Sequence, residues 1–271
     1  MTKPFLVCIK FISCCFLLGL CGCASTYYPT LPNQVLSSAE VEETVQELVT
    51  RSKEVKSLKG ITSVRINYDE DAYAYRYAIS ARDDNYLRID ILPKLGAFTL
   101  GILVASPNGV QFIDPNKKES YNSAEQKVLV EKALGVPLDG VELLAYFSSR
   151  IPTELLRKGI SKNIISGYRD LDGSIWLVWG EKQYYWKVDP QKFLLQEFYM
   201  YNQFNRTLVL KMIYSNYFKS EEVELGRTLN IELPKHNIKA LINYTSALFN
   251  VEIPESRFQV PLPAEFKQHN L

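Results

Sequence analysis

The chain has 271 residues and a formal net charge of +1, long enough for one large or two modest domains and without the basic block of a nucleic-acid binder. Hydrophobic residues at 46% and charged residues at 23% exclude a disordered polymer. All five cysteines lie at the start and the two histidines are His236 and His269, so the body has no disulfide framework, no thiol metal site and little histidine for a triad or metal centre.

The opening MTKPFLVCIKFISCCFLLGLCGC reads as a secretory signal over residues 1–22, with Lys3 and Lys10 as positive lead and an apolar stretch from Phe11 to Leu20. A membrane span needs ~20 apolar residues, and Lys10 interrupts this one. The ending Leu20-Cys21-Gly22-Cys23 resembles the lipobox of bacterial lipoproteins, in which the cysteine takes a lipid and becomes the new N-terminus. A simple cleaved signal is the alternative. Bulky Leu20 just before the cut makes Cys21 the poorer attachment point than Cys23. Each buried methylene of such an anchor contributes ~0.8 kcal/mol, so several acyl chains hold the protein on a membrane. Ala24 follows the cysteine, in place of the aspartate that retains many lipoproteins in the inner membrane, which favours the periplasmic face of the outer membrane.

Residues 23–37 carry Pro29 and Pro32 and no periodicity, as expected of a lipidated tether. Ser37-Ser38-Ala39-Glu40 has capping-box spacing, and Val41, Val45, Leu48 and Val55 follow at helical intervals. From residue 58 the period falls to two. Val64, Ile66 and Tyr68 form one strand face, and Tyr73, Tyr75, Tyr77 and Ile79 the next after an acidic turn. Leu87, Ile89 and Ile91 make a third strand, Phe98 to Ala105 a fourth, and Asn108-Gly109 turns into a fifth at Val110 to Asp114. The greasy run ILPKLGAFTLGILV at 91–104 is therefore two strands joined by a loop at Pro93 to Gly96.

Ser123-Ala124-Glu125-Gln126 repeats the capping-box spacing and opens a helix closed by Gly135, with Pro137 beyond. Asp139 can cap another, with Val141, Leu144 and Phe147 along one side. Strands resume at Ile175–Trp179, Tyr184–Val188, Phe193–Tyr201, Leu208–Tyr214, Leu229–Leu233 and Ile238–Tyr244. No composition break marks a second domain. Residues 38–271 read as one mainly β (α+β) domain, a long, strongly curved antiparallel sheet with helices packed against it.

The run NYLRIDILPKLGAFTLGILVASPNGVQFIDPNKKESYNSAEQKVLVEKALGVPLDGVELLAYFSSRIP resembles the LolA/LolB family of bacterial lipoprotein-localisation proteins, the LolB branch most closely. The resemblance rests on order: Tyr86 to Ile91, the Pro93-Lys94-Leu95-Gly96 loop, Asn108-Gly109, Val110 to Asp114, Ala124-Glu125, and Leu134-Gly135-Val136-Pro137-Leu138. Pro254, Phe258 and Pro263 resemble the closing strand of LolA. Lys94 departs from the family's Pro-Leu-Gly loop, and the C-terminal half is longer than usual for LolB. The resemblance implies an incomplete β-barrel with helices over its concave side, enclosing a cavity for acyl chains. It also implies a monomeric acceptor, lipid-anchored to the outer membrane, that takes lipoproteins from a periplasmic LolA-like carrier and inserts them. Leu95 occupies the position of a leucine that promotes insertion in LolB, with Phe98 beside it. Either side chain reaching lipid would gain ~1.5–3 kcal/mol, or both fold back onto the core.

Tyr75, Tyr77, Ile89, Ile91, Leu144, Phe147, Trp176, Trp179 and Trp186 are the candidates to line the cavity. The tryptophans could equally fill a sheet core, because alternation does not say which face is concave. No nucleophile elbow, phosphate loop or His-x-x-x-His spacing occurs. Asp170-Leu171-Asp172-Gly173 is a hairpin turn rather than a calcium loop, since the glycine comes too early. The expectation is a lipid-binding protein with no catalytic residue, no metal and no cofactor. The rival is an envelope lipoprotein that keeps the fold for a structural or interaction role.

Overall fold

The computed structural model describes residues 28–82, 85–96, 98–162, 165–180, 183–220 and 223–271. The signal segment and Cys23 lie outside the described residues.

One antiparallel meander opens the body: β2 (Ser57–Tyr68), β3 (Asp71–Arg82), β4 (Tyr86–Pro93), β5 (Gly101–Ser106), β6 (Gly109–Asp114) and β7 (Glu119–Ser123). A second runs through β8 (Ile165–Arg169), β9 (Ile175–Trp179), β10 (Tyr184–Val188), β11 (Leu195–Tyr201), β12 (Leu208–Ser220), β13 (Val223–Leu233) and β14 (Ile238–Phe249). Pairing of β14 with β2 joins the two, Ile242 opposite Val64. Short β1 (Gln34–Val35) flanks β8, and β15 (Lys267–Asn270) lies parallel to β7, so the sheet ends in two edges and does not close. The architecture is a single, strongly curved, open sheet, an incomplete barrel.

The described helices are α1 (Ser38–Ser52), α2 (Gln126–Leu134), α3 (Gly140–Phe147) and α4 (Thr153–Ser161). Ser37 caps α1 and Asp139 caps α3, each with a reciprocal glutamate, Glu40 and Glu142. Gly135 ends α2 at φ +75°, where a side chain would be strained. The expected box at Ser123 does not form. Ser123 ends β7 instead, and α2 starts at Gln126 with no side-chain cap. Buried residues of α1, α2 and α3 join the inner sheet face in one apolar core, which includes Leu48, Val130, Tyr146, Trp186 and Phe198.

The outer face carries two smaller clusters, each covered by a chain terminus. Val104, Ile253 and Phe258 form one beneath the C-terminal segment. That segment makes a one-turn 3-10 helix at Glu255–Phe258, not the strand that the resemblance implies, because Pro254 and Pro263 remove ladder donors. Arg257 crosses back to Asp90, which Arg88 also binds at 2.7 Å. The other cluster is Trp176, Val178, Tyr185, Tyr199 and Tyr201. Tyr28 stacks on Tyr201 with ring centroids 4.5 Å apart, and Leu36 is buried with its N–H bonded to Gly167 O. The described part of the expected tether, residues 28–37, is therefore docked on the sheet rather than free.

Tyrosines fill much of the core and of the outer cluster, and burial pushes the hydroxyls of Tyr77 in the first and Tyr185 in the second up to about 12. Burial likewise raises Tyr146 and Tyr214 well above the usual phenol value. Unfolded tyrosine ionises near ~10. Their stabilisation is thus complete below pH ~10 and is lost as pH rises towards about 12, with Tyr77 alone accounting for ~3 kcal/mol at most. Buried Arg150, lowered to about 10 by desolvation, works in the opposite sense over the same window, one group against several. The urea midpoint is expected to fall steeply between pH 9.5 and 11.5; a flat profile there would contradict this account of the core.

Candidate functional site

An apolar hollow of about 80 Å³ lies between the inner sheet face and the helices. Its sheet wall is Val64 and Ile66 of β2, Tyr77 of β3, Leu229 and Ile231 of β13, and Ile238, Ala240 and Ile242 of β14. Its roof is Leu134, Val136, Leu143 and Phe147 from α2, α3 and the turn between them. Alternation produces the wall: Val64 faces Ile242 across one strand pair and Tyr75 across the other, with the intervening residues on the outer face. Ile66, Leu134, Ile238 and Ala240 are half-buried, so the hollow opens at the end of the sheet where β2 turns into β3.

The roof is held by polar handles. The last carbonyls of a helix lack partners within it. Tyr214 Oη donates to Tyr146 O at 2.9 Å, and Tyr244 Oη to Phe147 O at 3.0 Å, both buried. Trp186 Nε1 donates to Tyr146 Oη at 3.4 Å, and the Tyr146 ring stacks on Phe198.

Of the nine expected lining residues, Tyr77 and Phe147 line this hollow. Leu144 faces a smaller recess of about 30 Å³ beside buried Arg150. Ile89 and Trp186 are fully buried in the packed core, against which Tyr75, Ile91 and Trp179 are half-buried. Trp176 is a correction: it lies on the outer face, under residues 28–31. Its register explains why, since Trp176 pairs with Lys187 and Leu177 with Trp186, so adjacent positions point to opposite sides. Sequence reasoning missed the β13 and β14 wall, although the alternation Leu229, Ile231, Leu233 and Ile238, Ala240, Ile242 was visible in it.

At the same end of the sheet, the loop after β4 holds Leu95 83% exposed and Phe98 58% exposed. The fourth strand begins at Gly101, leaving Phe98 in the loop. Arg76 fixes the loop's shape, with Nε donating to Pro93 O at 3.2 Å and Nη2 to Gly96 O at 2.7 Å. Gly96 adopts φ +110°, a backbone that other residues rarely reach. Pro93 pairs with Tyr75 and Tyr75 with Val64, so the loop starts one strand, ~5 Å, from β3 with its wall residue Tyr77 and two strands, ~10 Å, from Val64.

Among the described residues no group of acidic, histidine or cysteine side chains could hold a metal, and no helix is long and apolar enough to cross a membrane. Asp170 and Asp172, at the β8–β9 turn, both bind Lys187, at 3.3 and 3.2 Å.

No protein-family model and no curated protein matches the sequence. Solved structures do. A DUF1329 family protein from Desulfovibrio piger superposes with a TM-score of 0.60 at 11% identity, covering 81% of this chain and 97% of its own. A domain assigned to outer membrane lipoprotein sorting from Vibrio parahaemolyticus gives 0.61 at 11% identity, over 82% of this chain and 97% of its own. A LolA superfamily protein from Nitrosomonas europaea gives 0.55 at 11% identity, over 80% and 97%. At such identity the likeness speaks of architecture alone: this chain shares with those structures an open, curved sheet with helices on its concave side.

Proposed function

We propose that the protein is a LolB-like lipoprotein of the cell envelope, anchored through Cys23 to the periplasmic face of the outer membrane. It binds acyl chains of lipoproteins or phospholipids between the sheet and helices α2 and α3, and delivers them to the bilayer past Leu95 and Phe98. It works as a monomer, receives cargo from a periplasmic LolA-like carrier, and carries out no covalent step. The observation that carries this reading is the coincidence at one end of the sheet of an apolar hollow and a pinned loop with a fully presented leucine. The lipobox-like Leu20 to Cys23 supports the anchor, and the neighbours' lipoprotein-sorting theme supports the cargo class.

The hollow of about 80 Å³ is half the ~150 Å³ that admits benzene to a protein core. A whole acyl chain therefore enters only as α2 and α3 lift from the sheet. The same small volume favours a second reading, an envelope lipoprotein that keeps the fold for interaction with other proteins. Mass spectrometry of lipid extracted from the purified native protein separates them: bound lipid is expected, and stable protein partners without lipid would support the second.

Leu95→Glu is expected to reduce delivery to vesicles by about tenfold or more, since a leucine's ~1.5–3 kcal/mol of burial is lost. The melting temperature should not move, because the side chain is exposed. Delivery at the native rate would remove Leu95 from the mechanism.

A further inference from the structure

We infer that one end of the sheet is a bilayer-docking face with two insertion points, the Leu95 loop and the Phe204 turn, flanking the mouth of the hollow. The inference rests on the lipid anchor proposed above and adds the orientation of the body on the membrane.

Topology brings these parts together. The pairings Ile238 with Tyr68, Tyr75 with Pro93 and Tyr201 with Leu208 put the turns after β2, β4, β11 and β13 at the same end of the strands. Exposed large apolar side chains gather there: Leu95 at 83%, Phe204 at 88%, and Phe98, Tyr68 and Tyr73. Phe204 sits in a tight turn fixed by Asn202, whose Oδ1 accepts from Phe204 N and Asn205 N, and its ring stands exposed there. Ile66 and Ile238, at the hollow's open edge, lie between the two insertion points in the strand order.

The N-terminal segment sets which way this end faces. Tyr28 stacks on Tyr201 and its hydroxyl donates to Arg206 O at 3.3 Å, in the same turn as Phe204. From there the chain runs along the outer face to β1 and away from that end. Tyr28 is the fifth residue after Cys23, a reach of at most about 18 Å. A lipid on Cys23 thus holds the Phe204 turn close to the bilayer, where an exposed phenylalanine gains by burial. Beside the Leu95 loop, Arg65, Arg76 and Lys94 line a groove of about 280 Å³ with no carboxylate among its lining residues, suited to phosphate headgroups. Leu171, fully exposed in the turn after β8, lies at the opposite end and supplies the control.

The mature body has no cysteine after Cys23, so an introduced cysteine alone takes a thiol-reactive, polarity-sensitive dye. The test uses the full lipidated chain in phosphatidylethanolamine–phosphatidylglycerol vesicles, with label at Leu95→Cys, Phe204→Cys or Leu171→Cys. Dye at 95 and 204 is expected to shift to the blue and to be quenched by nitroxide-bearing lipids, while dye at 171 reports water. A water-like signal at 204 with burial at 95 overturns the two-point docking and leaves the delivery loop standing. Burial at 171 reverses the orientation and overturns it as well. Protein that fails to float with the vesicles at all removes the anchor, and with it both this inference and the reading beneath it.

Discussion

Ala240→Trp is expected to weaken acyl-chain binding about fiftyfold while lowering stability by no more than ~1 kcal/mol. Ala240 lies on β14 between Ile238 and Ile242, faces Ile66 across the strand pair, and borders the hollow. An indole there more than fills about 80 Å³. Overpacking normally costs ~1–3 kcal/mol, but this position is half-buried at the open edge, so the ring can lean outward. The ligand has no such freedom. At the ~30 Å³ that one water takes up in the liquid, the hollow has room for about three small groups such as methylenes. Losing their burial at ~0.8 kcal/mol apiece weakens binding by about fiftyfold. Displacement of a fluorescent fatty acid from the native protein and the variant reads this directly. Equal affinity for both would mean that lipid binds somewhere other than beneath α2 and α3.

The choice of Ala240 illustrates what the sequence conveyed and what it withheld. Local signals were legible because their physics is local. Ser37 and Glu40, Asp139 and Glu142, and Gly135 each bracket a helix through contacts a few residues apart. Alternation located nearly every long strand for the same reason. The losses are non-local or unsignalled. Helix α4 starts after Pro152, which offers no capping side chain, so the signal that marks α1 and α3 is missing even though Leu156 and Ile160 keep helical spacing in TELLRKGIS. Strands β1 and β15 exist only by pairing with β8 and β7, far away in the chain. The cavity suffered most. Parity already separates Trp176 from Trp179, three residues apart on one strand, so both could not line one surface. Which parity faces inward depends on where the helices lie, and that is set by tertiary contacts such as those of Tyr146.

Those contacts make Trp186→Ala the substitution with the largest expected effect on stability, ~4 kcal/mol. Trp186 has no exposed surface and stacks in a row with Tyr184 and Phe198, at centroid distances of 5.8 and 6.3 Å. Removing the indole leaves a void in the packed core and takes the hydrogen-bond donor from the Tyr146 hydroxyl, a buried group in the middle of the roof. The void is expected to stay costly. β10 is fixed on both sides by β9 and β11, and α3 is held to neighbouring strands by Tyr214 of β12 and Tyr244 of β14, so neither layer can collapse into the gap. Urea unfolding followed by far-UV circular dichroism measures the loss. A cost below ~2 kcal/mol would show that α3 settles readily onto the sheet without its tryptophan. In that case the aromatic row does not hold the roof at a fixed height, and the hollow beneath it is a feature the native protein could close at little cost.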